Sequence, residues 1–159
     1  MKQYFTITID TEADDAWSNS RRITFKNFEE IPRFQSLCEK YNIFPTYLLT
    51  YEYATFKPAV KYLKEKLDNG KCEIGMHLHS WTTPPFSNNK NNIDVDWLHA
   101  YQYELPDRLF EEKAEMLFKS IIDSFGKPPT SHRAGRWGID ERTIDWLVEK
   151  EFKVDSSVV

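Results

Sequence analysis

The chain has 159 residues, a formal net charge of -4 and 40% hydrophobic residues, enough to build one core and too short for several. Its acidic balance excludes the dense basic face that phosphate backbones require, so nucleic acid is not an expected partner, and Arg21-Arg22 reads as solvated surface. No apolar run approaches a membrane span, no charged segment followed by an apolar stretch opens the chain, and Cys38 and Cys72 are too few for a disulfide scaffold. Both read as buried free thiols in a reducing compartment, which places the protein in the cytoplasm.

Strand-like and helix-like segments alternate along the chain. Tyr4 to Ile9 is a β-rich run that ends in Asp10-Thr11-Glu12. Ile31, Phe34, Leu37, Cys38 and Tyr41 recur at helical spacing, with Pro32 in the first turn and Asn42 at the end. Phe44 to Leu49 predicts a second strand. Val60, Leu63 and Leu67 predict a helix that opens at Pro58 and stops at Gly70. A strand from Cys72 to His79 follows. Pro106 opens a long helix striped by Phe110, Ala114, Leu117, Ile121 and Phe125 and closed by Gly126. A short strand near Thr130 to Ala134, a helix near Asp140 to Lys150 and a strand from Phe152 to Val158 complete the series. Such alternation implies a parallel sheet covered by helices, with functional groups at the carboxyl ends of its strands.

Two pairs of like groups fall at those ends. His77 and His79 are two apart on one strand, so their imidazoles point to the same face and converge. A single histidine in a strand is usually a hydrogen-bonded core residue, but the second one and the Asp10/Glu12 pair reverse that balance and point to a divalent-metal hydrolase. Between Ser80 and Leu105 runs a long connection containing Pro84-Pro85 and a polar stretch from Ser87 to Asn92. Connections of that length inside a domain are functional or mobile, and its place after the histidines suggests a lid. Trp81, Trp97 and Tyr103 within it are candidates for stacking on a sugar ring, with anchoring of the loop as the competing role. In Ser131-His132-Arg133-Ala134-Gly135-Arg136-Trp137-Gly138, an arginine can hold a catalytic carboxylate ionised, and backbone N-H groups around Trp137 can face a developing oxyanion.

The segments Thr-Ile-Asp-Thr-Glu, Gly-Met-His-Leu-His-Ser-Trp-Thr-Thr-Pro-Pro, Tyr-Glu-Leu-Pro, Arg-Ala-Gly-Arg-Trp-Gly and Asp-Ser-Ser-Val together resemble the polysaccharide deacetylases of the NodB-homology type, carbohydrate esterase family four. The match is narrowest with the WalW-like branch, which is associated with bacterial surface-polysaccharide biosynthesis. The motifs run in family order from Thr8 to Val158. The resemblance implies a distorted (β/α) barrel, one catalytic domain over residues 1–159, and metal-dependent removal of N- or O-acetyl groups from a glycan. It implies Asp10 as catalytic base, Arg133 as its partner, and Glu12 and His77 as ligands of a divalent metal, zinc by chemistry. The family's second histidine lies four residues after the first, where this chain has Trp81, and its metal carboxylate directly follows the base, where this chain has Thr11. His79 takes the vacant ligand role in this reading, because a strand presents i and i+2 together. Family barrels carry further strands and a general-acid histidine beyond Asp-Ser-Ser, so the barrel is expected to be incomplete at its C-terminus and the chain to be the N-terminal part of a longer one. Two alternatives stand beside the deacetylase: a carbohydrate-binding or scaffold protein that keeps the fold without turnover, and a metal-independent amidohydrolase.

Overall fold

Five parallel strands make one sheet in sequential order, β1 (Thr8–Thr11), β2 (Thr46–Leu49), β3 (Glu73–Leu78), β4 (Ser131–Ala134) and β5 (Val154–Asp155). The computed structural model describes residues 5–14, 16, 23–86 and 100–158. Helices α1 (Ile31–Lys40), α2 (Tyr51–Thr55), α3 (Lys57–Asp68), α4 (Asp107–Phe125) and α5 (Glu141–Glu149) connect and cover the strands, with 3-10 turns at Lys26–Glu30, Gln102–Glu104 and Gly135–Trp137. Among the described residues β1 and β5 are edges, so the sheet is open, in the manner of an incomplete barrel.

Side-chain alternation divides the sheet into two unlike faces. Tyr47, Leu49, Ile74, Met76 and Leu78 face the helices and join Leu63, Phe110, Leu117, Ile121 and Phe125 in the core. Burying stripes of this kind is what holds a short parallel sheet to its helices, at about 25 cal/mol per Å² of apolar surface. The other face carries Thr8 and Asp10, Thr46 and Leu48, Glu73, Gly75 and His77, then Ser131 and Arg133. Gly75 is required there: a Cβ would lie 2.5 Å from Leu48 Cδ2 and 2.8 Å from the Ser131 carbonyl.

Helix ends follow the sequence signals. Pro32 and Pro58 sit in the first turns of α1 and α3, where a missing N-H costs nothing. Asn42 (φ 54°), Gly70 (φ 64°) and Gly126 (φ 81°) take left-handed conformations just past α1, α3 and α4. Asp140 caps α5 by accepting from Thr143 N at 2.9 Å.

Three elements differ from the sequence reading. β1 is Thr8–Thr11 and not Tyr4 to Ile9, because pairing with β2 runs from Thr8↔Thr46 to Thr11↔Leu49 and carries Asp10 into the strand. α2 is absent from the reading, being a single short turn with no room for a periodic stripe. β5 is only Val154–Asp155 where Phe152 to Val158 is predicted. There Ala134 N bonds the Ser157 hydroxyl at 2.8 Å in place of a ladder carbonyl, and Ser157 N and Oγ both turn back to the Asp155 carboxylate at 2.9 Å. Side-chain competition of this kind ends a strand early.

Candidate active site

The carboxyl ends of β1, β3 and β4 bring five sequence-predicted residues together, Asp10, Glu12, His77, His79 and Arg133. Arg133 Nη1 donates to Asp10 Oδ1 at 2.6 Å, and Nη2 donates to Thr8 Oγ1 at 2.8 Å. His77 Nε2 lies 4.0 Å from the other Asp10 oxygen. Asp10 is therefore both held from one side and adjacent to the imidazoles on the other.

Glu12, His77 and His79 form the second half of the site. His79 Nε2 is 3.0 Å from Glu12 Oε2 and 3.0 Å from His77 Nε2, and His77 Nε2 is 3.9 Å from the same Glu12 oxygen. Each residue offers one ligand atom, all within 4.8 Å of one another. Tetrahedral zinc with bonds of about 2.0 Å sets its ligands roughly 3.3 Å apart, so the observed spacings bracket that edge. The ring of His77 is already oriented for such a task. Its Nδ1 contacts the Arg133 carbonyl at 2.8 Å; a carbonyl only accepts, so Nδ1 carries the hydrogen and Nε2 presents its lone pair. Burial, then the neighbouring His79, pushes the His77 pKa well below its ordinary value, leaving the ring neutral as a metal ligand must be. The donor set, two imidazoles and one carboxylate, fits a divalent ion.

Glu12 is placed by the segment that follows it. Asn27 Nδ2 donates to the Glu12 carbonyl at 2.8 Å, Tyr53 OH donates to Asn27 Oδ1 at 2.6 Å, and Asp14 accepts from the backbone N-H groups of Lys26 and Asn27 at 2.6 and 2.9 Å. Asp14 thus folds the chain back beneath Glu12.

The predicted substrate-facing residues divide. Trp81 is 2% exposed and stacks on His79 with ring centroids 4.2 Å apart at 21°, and the Arg136 guanidinium lies 5.4 Å from its ring centroid. Buried in this way, it props the His79 ring instead of offering a platform to a sugar. Tyr103 is 45% exposed and stacks on Tyr101. Trp137 is 57% exposed and, like Arg136, has positive φ, a strained turn directly after β4. Trp97 and the Asn-rich part of the proposed lid lie outside the described residues. At the root of that connection, the buried Lys113 of α4 donates to the Thr83 and Pro85 carbonyls at 2.6 and 2.8 Å.

One residue escaped the sequence reading. Glu52 on α2 is 6% exposed, and neither carboxylate oxygen hydrogen-bonds another described residue. Burial pushes its pKa up, while the nearby His79 ring and the Thr82 and Thr50 hydroxyls act in the lowering direction. The available signal was an acidic residue just past the carboxyl end of a buried parallel strand.

By sequence the chain matches no protein-family model and no curated protein. By structure it is similar to a Mycobacterium smegmatis protein assigned to the polysaccharide deacetylases, with TM-score 0.64, 16% identity, and coverage of 96% of this chain and 50% of that one. It is similar to the Bc1960 peptidoglycan N-acetylglucosamine deacetylase at TM-score 0.61 and 17% identity, over 94% of this chain and 54% of that one. BA3943 of Bacillus anthracis, a CE4 family pseudoenzyme, matches at TM-score 0.58 and 14% identity, over 94% and 41%. The chain spans about half the length of the solved structures it resembles. Its parallel five-stranded sheet with flanking helices is the polysaccharide deacetylase fold.

Proposed function

We propose that the protein is a metal-dependent hydrolase that removes N- or O-acetyl groups from a glycan in bacterial surface-polysaccharide metabolism, in the manner of the WalW-like branch. The observation that carries this reading is the Asp10–Arg133 ion pair at 2.6 Å set directly beside the Glu12/His77/His79 ligand set. A divalent ion held by those three residues, zinc by donor type, would supply Lewis acidity toward the acetyl carbonyl and its attacking water. Asp10 accepts a proton from that water as its oxygen attacks the carbonyl carbon. Arg133 aims the Asp10 carboxylate through its 2.6 Å hydrogen bond. When the C–N or C–O bond breaks, Asp10 returns the proton to the leaving nitrogen or oxygen, so acetate and a free amine or hydroxyl result. Backbone N-H groups of the Gly135–Trp137 turn face the developing oxyanion, and the exposed rings of Tyr103 and Trp137 offer the sugar its contacts, with Trp97 a further candidate. The buried free thiols Cys38 and Cys72 suit action in the cytoplasm.

The likeness to a pseudoenzyme gives the second reading, a glycan-binding protein without turnover. One preparation separates the two. The protein is loaded with zinc, its metal content is measured, and acetate release from an acetylated chitooligosaccharide is followed. Stoichiometric zinc with acetate release supports the deacetylase; a folded protein that binds the oligosaccharide but takes up no zinc supports the alternative.

A further inference from the structure

Large exposed apolar side chains are unevenly placed on this fold. Among the described residues, α2 and α3 carry none and α4 carries only Met116. The helices at the two flanks of the sheet carry more. α1 exposes Leu37 and, just past its end, Tyr41 (63%) and Phe44, while α5 exposes Ile144 and Val148 (70%). Paired exposed apolar groups on a helix face mark a surface that gains by being covered.

The charges around these two patches have opposite sign. Arg33, Leu37, Lys40 and Tyr41 recur at i, i+4, i+7 and i+8 along α1 and so share one side. The Lys40 ammonium lies 5.4 Å from the Tyr41 ring centroid, and Lys71 adds a cation 5.8 Å from the Phe44 ring. Of the acidic groups nearby, Glu39 is taken up by Lys66 at 2.9 Å, and Glu30 meets Arg33 only at 3.5 Å with both side chains mostly in water, a pair of little strength. On α5, Glu141, Ile144, Asp145 and Val148 recur at i, i+3, i+4 and i+7 and share the exposed side. The basic groups there are turned elsewhere, Arg142 to Asp107 at 2.6 Å and Lys150 to Glu115 at 3.1 Å. Exposed Glu151 follows, against exposed Lys153. One flank is thus apolar and cationic, the other apolar and anionic.

α1 joins β1 to β2 and α5 joins β4 to β5, at opposite ends of the strand order, and the exposure of both faces shows that neither covers the other within one molecule. α1 also offers a receptor shape, a surface groove of about 570 Å³ in which Phe34 and Leu37 are flanked by Arg33 and Lys40. We propose that α5 of one copy docks on α1 of a second copy, with Ile144 and Val148 entering the groove at Phe34 and Leu37 while Glu141 and Asp145 meet Arg33 and Lys40. The occupant is a second copy because this chain carries both halves of the complement, matched in spacing and opposite in charge. Such a contact is head-to-tail, so each copy brings one face of either kind. It is also small, which makes the association reversible and sensitive to salt. Nothing in it depends on the metal site or on acetyl transfer.

The test is sedimentation velocity of the whole chain over a concentration series, for the parent and two charge-reversed variants. One carries Arg33→Glu and Lys40→Glu, the other Glu141→Lys and Asp145→Lys; all four positions are exposed, so melting temperatures should stay near the parent's. The parent's average mass should rise above the monomer with concentration, and less steeply at about 0.5 M salt. Each variant alone should stay monomeric, because its two docking faces now carry the same sign. An equimolar mixture should associate again, since the first variant keeps the native α5 face and the second the native α1 face. Recovery on mixing also shows that both variants are folded. A parent that is monomeric throughout overturns the proposal, as does association that survives either reversal or fails to return on mixing.

Discussion

The guanidinium of Arg133 on β4 meets the carboxylate of Asp10 on β1 at 2.6 Å, although β2 and β3 lie between those strands. Neighbouring strands are about 4.8 Å apart, so a flat sheet would put the two backbones roughly 14 Å apart with side chains standing parallel to one another. Contact requires a sheet curled toward this face. The curl that brings Asp10 and Arg133 together also points His77 between them, so sheet curvature and site assembly are one event.

Replacing Asp10 should separate the proton-transfer role from metal binding. Asp10→Asn keeps the shape and stands outside the Glu12/His77/His79 set, so zinc content should be unchanged while acetate release falls about 10²- to 10⁴-fold. Parallel loss of zinc would mean that Asp10 is a ligand and not the base.

Trp81 should matter for packing and for the imidazole it props. Trp81→Ala opens a cavity in a site only 2% exposed, at a cost of about 3–5 kcal/mol. The melting temperature should drop, zinc affinity should weaken, and affinity for an oligosaccharide should be otherwise unaffected. A variant with normal stability and selectively impaired oligosaccharide binding would restore Trp81 to the substrate-facing role expected from sequence.

Gly135→Ala should damage the site from the other side. The added methyl would meet the Leu78 carbonyl at 2.7 Å and His79 Cδ2 at 2.9 Å, and the carbonyl cannot yield without disturbing the β3–β4 ladder. Lower stability accompanied by weaker zinc binding is the expected pair; calorimetry with and without zinc measures both.

Acid should loosen β5 first. The Asp155 pKa is lowered from 3.8: burial raises it, but bonds from His132 at 2.6 Å and from Ser157 overcome that. A depressed carboxylate stabilises the fold above its unfolded pKa, and the contribution disappears as pH falls through the lower folded value. Parent and Asp155→Asn should therefore differ most in stability above about pH 4 and converge in stronger acid. A difference that does not change with pH would assign the effect to shape alone.

The sheet, its parallel order and the ends of the long helices were legible because each rests on a strong local signal: Gly126 and Pro106 bracket α4, and β3 is a short apolar run. The convergence of His77 and His79 followed from a period of two. What was not legible depends on contacts remote in sequence. Glu52 sits in Tyr51-Glu52-Tyr53, where nothing local says that its side chain turns inward. Whether Trp81 stacks on a sugar or anchors the loop was not legible, because its packing against His79 and Arg136 depends on the turn after β4. The boundary of β5 was set by the Ser157 hydroxyl, a side chain competing for a backbone hydrogen.

Glu73 sits on the same sheet face as His77, at the opposite end of β3. Its carboxylate accepts from Thr46 Oγ1 at 2.9 Å, from Thr130 Oγ1 at 3.2 Å and from the Ser131 hydroxyl, stitching β2, β3 and β4 across their entrances. Leu48 and Gly75 fill the space between. Among the described residues the amino-terminal end of this face is thus sewn shut across β2, β3 and β4, so a molecule approaching Asp10 or His77 does so from the carboxyl ends of the strands or across the open β1 and β5 edges.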